Sequence, residues 1–241
     1  MKKLIFLFWG ISTFALSGCI KPGSNSQKFT EVPAIVGFSI EALQTTINIS
    51  DGGAGYLPLL APTLMSAELD DGDAIIANFT INYDQQSTQY YTVSDLTWDK
   101  VGQDYPKPKS EADDGFDEPI EEILQWGRIS YGWYDILFFK FKQTAPSDQV
   151  FIYEMTYGLD ETGLSTVYIS AQKSGEGSNP SEVNSFYYAF NIKDYLSTLS
   201  VDYENMVKFY IEFKTGVDSE GRDVYKSWSG NPLRLLMSNE Y

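Results

Sequence analysis

Period-two alternation, repeated along the chain, is what most constrains its fold. In residues 75–83, Ile75, Ala77, Phe79, Ile81 and Tyr83 share one face, while Ile76, Asn78, Thr80 and Asn82 share the other. Leu137, Phe139 and Phe141 alternate with Phe138, Lys140 and Lys142. The pattern returns at Phe186, Tyr188, Phe190 and Ile192, and again at Val207, Phe209, Ile211 and Phe213. A helix would scatter these side chains around its axis, whereas a strand gathers each set on one face. Turn chemistry falls between the runs. Asp70-Asp71-Gly72-Asp73 precedes the strand at 75. Asp160-Glu161-Thr162-Gly163 is placed to close a hairpin between residues 150–157 and 164–172. Asp218-Ser219-Glu220-Gly221 is placed to close another, between 206–215 and 222–228. Many short strands with Gly-rich turns argue an all-β sandwich or barrel with few short helices.

Helix signals are sparse. Asp117 as a cap, Pro119 and the early acids Glu118, Glu121 and Glu122 predict one or two turns over residues 117–124. Residues 192–199 suit a short helix or a strand end. Residues 103–116, with Pro106, Pro108, Glu111, Asp113, Asp114 and Gly115, form a polar, Pro-stiffened connection and the best internal boundary. Residues 52–62 are expected to form a loop. Trp98 is assigned to the wall or rim of the first block.

The first 18 residues form an export leader. Lys2 and Lys3 give a basic start, and residues 4–16 are an apolar stretch of 13 residues, shorter than the ~20 needed to span a bilayer. The leader ends in Leu16-Ser17-Gly18-Cys19, and Cys19 is the sole cysteine of the chain. This resembles the bacterial lipoprotein box. The resemblance implies a diacylglyceryl group on Cys19 and cleavage just before it. Residues 19–30 then read as a flexible tether. Nothing after Cys19 resembles the acidic run of a lipoprotein surface-export signal, and no Asp stands directly after it as in lipoproteins kept at an inner membrane. The comparison implies the periplasmic face of an outer membrane over the cell surface.

Composition removes several functions. The mature chain keeps 15 basic side chains against 33 acidic ones, so a phosphate backbone would be repelled and no nucleic-acid partner is expected. With no histidine, imidazole general-base schemes and His-bearing metal sites are excluded. A single cysteine allows no internal disulfide and no thiolate cage.

The order of features is similar to the NigD-like lipoproteins of Bacteroidota: a lipobox leader, a β block opening around Gly72-Asp73-Ala74-Ile75-Ile76, the acidic Asp117-Glu118-Pro119-Ile120 segment, Trp126, an aromatic strand through Trp133 and Phe141, and a final hairpin. The resemblance implies an OB-like barrel over residues 31–110 and an antiparallel β-sandwich over residues 111–241. It brings no catalytic residue and no cofactor.

Two clusters carry candidate chemistry. Seven acids fall within residues 111–122, and Asp113, Asp114 and Asp117 are the candidates for a Ca²⁺ site; the alternative is a solvated, self-repelling linker. Trp126, Tyr131, Trp133 and Tyr134 are the candidate ligand-binding residues, since exposed rings stack on sugars or anchor protein interfaces. The competing assignment puts them in a core or a domain junction. Ser170 and Lys173, a nominal nucleophile pair, point to opposite faces of a strand. No paired carboxylates stand out for glycoside hydrolysis. The expectation is a non-catalytic, lipid-anchored envelope protein that binds another envelope protein or a glycan.

Overall fold

The computed structural model describes residues 25–52, 55–66, 68–86 and 90–237. The leader, Cys19 and residues 20–24 of the expected tether lie outside the described residues. The rest of that tether is corrected: from Ser26 onward it is the first strand, with Ser26–Phe29 paired to residues 79–82 rather than free.

Each alternating run is a strand. The chain divides into two units, residues 1–101 with the segment Gly127–Asp135, and residues 102–126 with 136–241. The first is a closed five-stranded barrel. Its strands are β1 (Ser26–Ser39), β2 (Gln44–Ser50), β3 (Tyr56–Leu60), β4 (Ala74–Asn82) and β5 (Tyr91–Lys100), joined in the order β1-β2-β3-β5-β4. Inward-facing Phe29, Val36, Ile47, Leu59, Ile75, Ala77, Phe79 and Ile81 form its core. Phe29 and Phe79 face each other across the β1–β4 ladder with ring centroids 5.0 Å apart. Closing five strands requires strong local bending, which bulges supply. One bulge lies in β1 between Phe29 and Val32, and a second register shift separates Asn78 and Thr80 on β4. The side chain of Asn78 accepts from the Glu31 N–H at 2.9 Å and donates to the Thr97 hydroxyl at 3.3 Å, so one residue serves all three strands.

The expected loop at 52–62 contains β3. Leu57 and Leu59 alternate into the barrel around Pro58, and β5 pairs only with Leu59 and Leu60. Pro58 therefore interrupts no ladder on that side, the position in a sheet where proline is tolerated.

The second unit is a β-sandwich of two sheets. One contains β7 (Lys107–Pro108), β10 (Val150–Leu159), β11 (Ser165–Ser174), β13 (Met206–Val217), β14 (Asp223–Ser227) and β15 (Leu233–Leu236), ordered β14-β13-β11-β10-β7 with β15 also on β13. The other is β6 (Gly102–Asp104), β12 (Ser181–Asn191), β9 (Tyr134–Pro146) and β8 (Glu122–Tyr131), in that order. Leu137, Phe139, Phe141 and Phe190 from one sheet meet Tyr153, Met155, Ile169, Phe209 and Phe213 from the other. Phe141 stacks on Tyr153 at 4.1 Å. Most pairings are antiparallel, and both sheets also carry parallel ones: β7 with β10, β11 with β13, and β6 with β12.

Three expectations are corrected here. Residues 103–116 are not a free connection, because β6 and β7 add to the edges of the two sheets. The unit boundary therefore falls at Val101/Gly102 rather than at 110. Residues 117–124 are extended rather than helical. The Glu118 N–H donates to the Ala171 carbonyl and the Ile120 N–H to the Lys214 carbonyl, and Ile120 and Ile123 are both buried in the sandwich core. Sheet carbonyls supply the partners a helix would have drawn from its own turn. The residue 192–199 ambiguity resolves to a short helix, α1 (Lys193–Ser197).

Candidate functional site

The four aromatic candidates do not form one surface. Trp126 is half-buried against the sandwich core, edge-on to Trp228 at 5.9 Å. The other three lie in the segment that belongs to the barrel unit. The Tyr131 hydroxyl accepts from the Phe38 N–H at 3.3 Å, and its ring meets Tyr56 edge-on at 4.9 Å. Burial raises its phenol above the usual tyrosine value. Tyr134 stacks on Tyr131 at 6.4 Å, and its hydroxyl donates to the Asp71 carbonyl at 3.0 Å. A Cβ on Gly72, whose φ is +91°, would overlap the Tyr134 ring. A buried, two-pronged ion pair completes the segment, from Arg128 Nε to Asp135 Oδ1 at 2.7 Å and from Arg128 Nη2 to Asp135 Oδ2 at 2.5 Å. Tyr131 and Tyr134 thus hold the segment on the barrel wall. Trp133, at its turn, is 83% exposed. Trp98 is half-buried against the barrel core.

The acidic candidates separate too. Asp113 pairs with Lys107 at 2.6 Å and Asp117 with Lys214 at 2.8 Å. Among the described residues, no group of three or more His, Cys, Asp or Glu side chains could hold a metal ion.

These pairs belong to a feature the sequence did not disclose. On β10, β11 and β13, the face opposite the core carries a polar patch of Glu154, Thr156, Tyr168, Ser170, Glu212 and Lys214. Register places Glu154 beside Ser170, Thr156 beside Tyr168, Tyr168 beside Glu212, and Lys214 beside Tyr225. Residues 109–117 pass over this face and leave two adjoining recesses of about 450 and 470 Å³, sharing Lys109, Asp223 and Tyr225.

The first recess is lined by compensated charge. Glu154 is 4% exposed and receives the Lys107 ammonium at 2.7 Å and the Asp113 N–H at 2.8 Å. Lys214 is 3% exposed and donates to Asp223 at 2.6 Å, Asp117 at 2.8 Å and the Phe116 carbonyl at 3.2 Å. Burial alone would lower the Lys214 ammonium; its two carboxylates outweigh this and hold it above the usual lysine range.

The second recess differs. The Lys109 ammonium lies 3.5 Å from the Tyr168 ring centre and 5.2 Å from that of Tyr225, with the two rings edge-on at 5.1 Å. Asp160, Glu161, Glu212 and Asp223 surround it. Burial, and then the Asp160 charge, raise the Glu212 carboxyl. Burial first, and then Glu212 and Asp160, raise the Tyr168 phenol. Chemically, this is a half-cage of ring faces in a negative surround, the arrangement that holds a cation.

No family profile matches the chain, and no curated protein does. Solved structures share its architecture. An uncharacterized protein from Parabacteroides merdae is 18% identical with a TM-score of 0.61, over 81% of this chain and 94% of that one. A candidate lipoprotein from Bacteroides fragilis is 9% identical with a TM-score of 0.53, over 89% of this chain and 100% of that one. A NigD-like immunity protein from Bacteroides caccae is 12% identical with a TM-score of 0.50, over 86% of this chain and 97% of that one. The chain has the fold of these Bacteroidota structures, the NigD-like protein included, along nearly their whole length.

Proposed function

We propose that this chain is a lipid-anchored, non-catalytic binding protein of the bacterial envelope, tethered through acylated Cys19 to the periplasmic face of an outer membrane. The observation that carries the reading is the Leu16-Ser17-Gly18-Cys19 box holding the only cysteine of the chain. Two or three acyl chains, at about 0.8 kcal/mol per buried CH₂, hold a protein to a bilayer durably. Six positions separate Cys19 from the start of β1 at Ser26, so the barrel follows the anchor closely in the chain. The lipoprotein description of the Bacteroides fragilis structure is consistent with the same attachment. Binding rather than turnover is favoured by the recess chemistry: Lys107 holds Glu154 and Asp113, and Lys214 holds Asp117 and Asp223, so these carboxylates are engaged in ion pairs.

The test is mass spectrometry of the N-terminal peptide from the native host, joined to membrane fractionation. The expected result is a diacylglyceryl Cys19 in the membrane fraction. Cys19→Ser is expected to lose the modification and to shift at least about tenfold toward the soluble fraction, given the acyl-burial energy. An unmodified N-terminus and a freely soluble native protein would overturn the reading. Affinity capture from intact cells, with and without external protease, then reports which face carries the protein and what accompanies it.

The exposure of Trp133 favours a second reading, in which that ring stacks on a glycan. Loss of glycan retention on Trp133→Ala, with unchanged unfolding, is its test.

A further inference from the structure

We propose that the recess between Tyr168, Tyr225 and Glu212 is a binding site for an organic cation carrying a primary ammonium, such as a lysine side chain, and that Lys109 holds the place of that group in the unliganded chain. The inference rests on reading the chain as a binding protein and gives that binding a chemistry.

Four observations carry it. First, the recess already contains an ammonium. Lys109 Nζ sits 3.5 Å from the Tyr168 ring centre and 5.2 Å from that of Tyr225, within the range where a ring face attracts a cation. Second, that ammonium is held loosely. Among the described residues no carboxylate lies within salt-bridge distance of Lys109, and its short 3-10 turn, Lys109–Glu111, has no buried residue. Swinging the side chain aside therefore breaks no ion pair, and it bares the ring face of Tyr168, a residue otherwise buried. Third, the surround favours another cation. Asp160, Glu161, Glu212 and Asp223 line the recess against Lys109 alone. Lys214, the nearby buried cation, is already committed to Asp117 and Asp223. Glu212 has no lysine or arginine within salt-bridge distance among the described residues; the Lys109 charge acts on it from further off, so a new ammonium replacing that of Lys109 can take up Glu212 directly. An anion entering here would meet four carboxylates. Fourth, the volume fits. About 470 Å³, adjoining a further 450 Å³, admits a side chain and the segment that bears it.

The face also has support beneath it. Tyr168 and Glu212 stand on two neighbouring strands whose opposite faces hold Val167, Ile169, Ile211 and Phe213 in the sandwich core, and Tyr225 stands on the strand paired next to them. A cage on strands keeps its geometry better than one on loops.

The experiment uses the mature acylated protein in detergent micelles, with the tyrosine near-ultraviolet signal as readout. Three probes are titrated: butylammonium, a blocked Gly-Lys-Gly peptide, and butyrate as the anionic control. Lys109→Met keeps the stem and removes the charge. It is expected to bind the ammonium probes about tenfold more tightly than the parent, because the built-in competitor is gone, and to leave butyrate unbound. Adding Glu212→Gln to Lys109→Met is expected to return most of that gain. Tyr168→Leu is a second background, and the Glu212 variant stands alone if the leucine variant fails to fold. A gain with either ammonium probe supports the proposal; a larger gain with the peptide assigns the group to a polypeptide partner, and an equal gain assigns it to a free amine. No gain for either probe, or equal binding of butyrate, overturns it. That failure would leave the membrane-anchored reading intact, because that reading stands on the chemistry at Cys19.

Discussion

The carboxylate of Asp148 shows how much order a single side chain can impose on a loop. It accepts from the Ser178 N–H at 2.8 Å, the Ser178 hydroxyl and the Asn179 N–H at 3.0 Å. These bonds favour the charged form and lower its pKa to about 2, the Ser178 hydroxyl contributing most. A depressed carboxyl contributes order that is fully present above the ordinary value of 3.8 and is lost as the pH falls toward about 2. The expected outcome is that amide protection at Ser178 and Asn179 collapses between those limits, whereas Asp148→Asn shows no such transition; hydrogen exchange followed by NMR measures it. At this scale the sequence was least legible. Trp126 and Trp133 look alike seven positions apart, yet one packs beside Trp228 and the other is exposed. The contacts that decide their fates are non-local. The same holds for Lys214 and Glu154. Buried charges are unexpected on a strand, and nothing local to them names Asp117, Asp223, Lys107 or Asp113 as partners.

Among elements, legibility follows the reach of the signal. β4, β9, β12 and β13 were written in their own alternation, and the β10–β11 and β13–β14 hairpins in their turn residues. That hairpin register already sets Glu154 beside Ser170. The parallel pairing of β11 with β13, which brings Tyr168 beside Glu212, has no turn to announce it. The polar recess was therefore half visible at most. β3, β6 and β7 were missed because they are short and contain a proline or lie within two residues of one, and pairing with a distant strand outweighs that local bias. The expected helix at 117–124 failed for a related reason: Ile120 and Ile123 gain more from the sandwich core than acidic caps offer a two-turn helix. Barrel closure gives a test at this scale. Asn78→Ala removes the acceptor for the Glu31 N–H and the donor to Thr97. Urea unfolding should show the barrel destabilised by about 1–2 kcal/mol, the range for two ordinary hydrogen bonds, one of them to a bulged backbone amide.

At the level of the whole molecule, the two cores are built from separate sets of side chains. Phe79 is fully buried in the barrel and stacked on Phe29. Phe79→Ala should cost the barrel about 3–5 kcal/mol, as other large-to-small aromatic truncations do. Hydrogen exchange is the measurement: amides of β1 and β4 should open at lower denaturant, while those of β9 and β10 keep their parent behaviour. The barrel also draws on chain beyond its five strands, because Tyr131 and Tyr134 cover Gly37 and Gly72 from a stretch some thirty to sixty positions further along in sequence than the last barrel strand and Gly72 themselves. A gene fragment stopped after codon 101 would encode every barrel strand and still yield an incomplete object, its wall stripped of the tyrosines that seal it. Recombination therefore cannot lift this module out as one contiguous cassette, and exchange between related genes should preserve both halves together or neither.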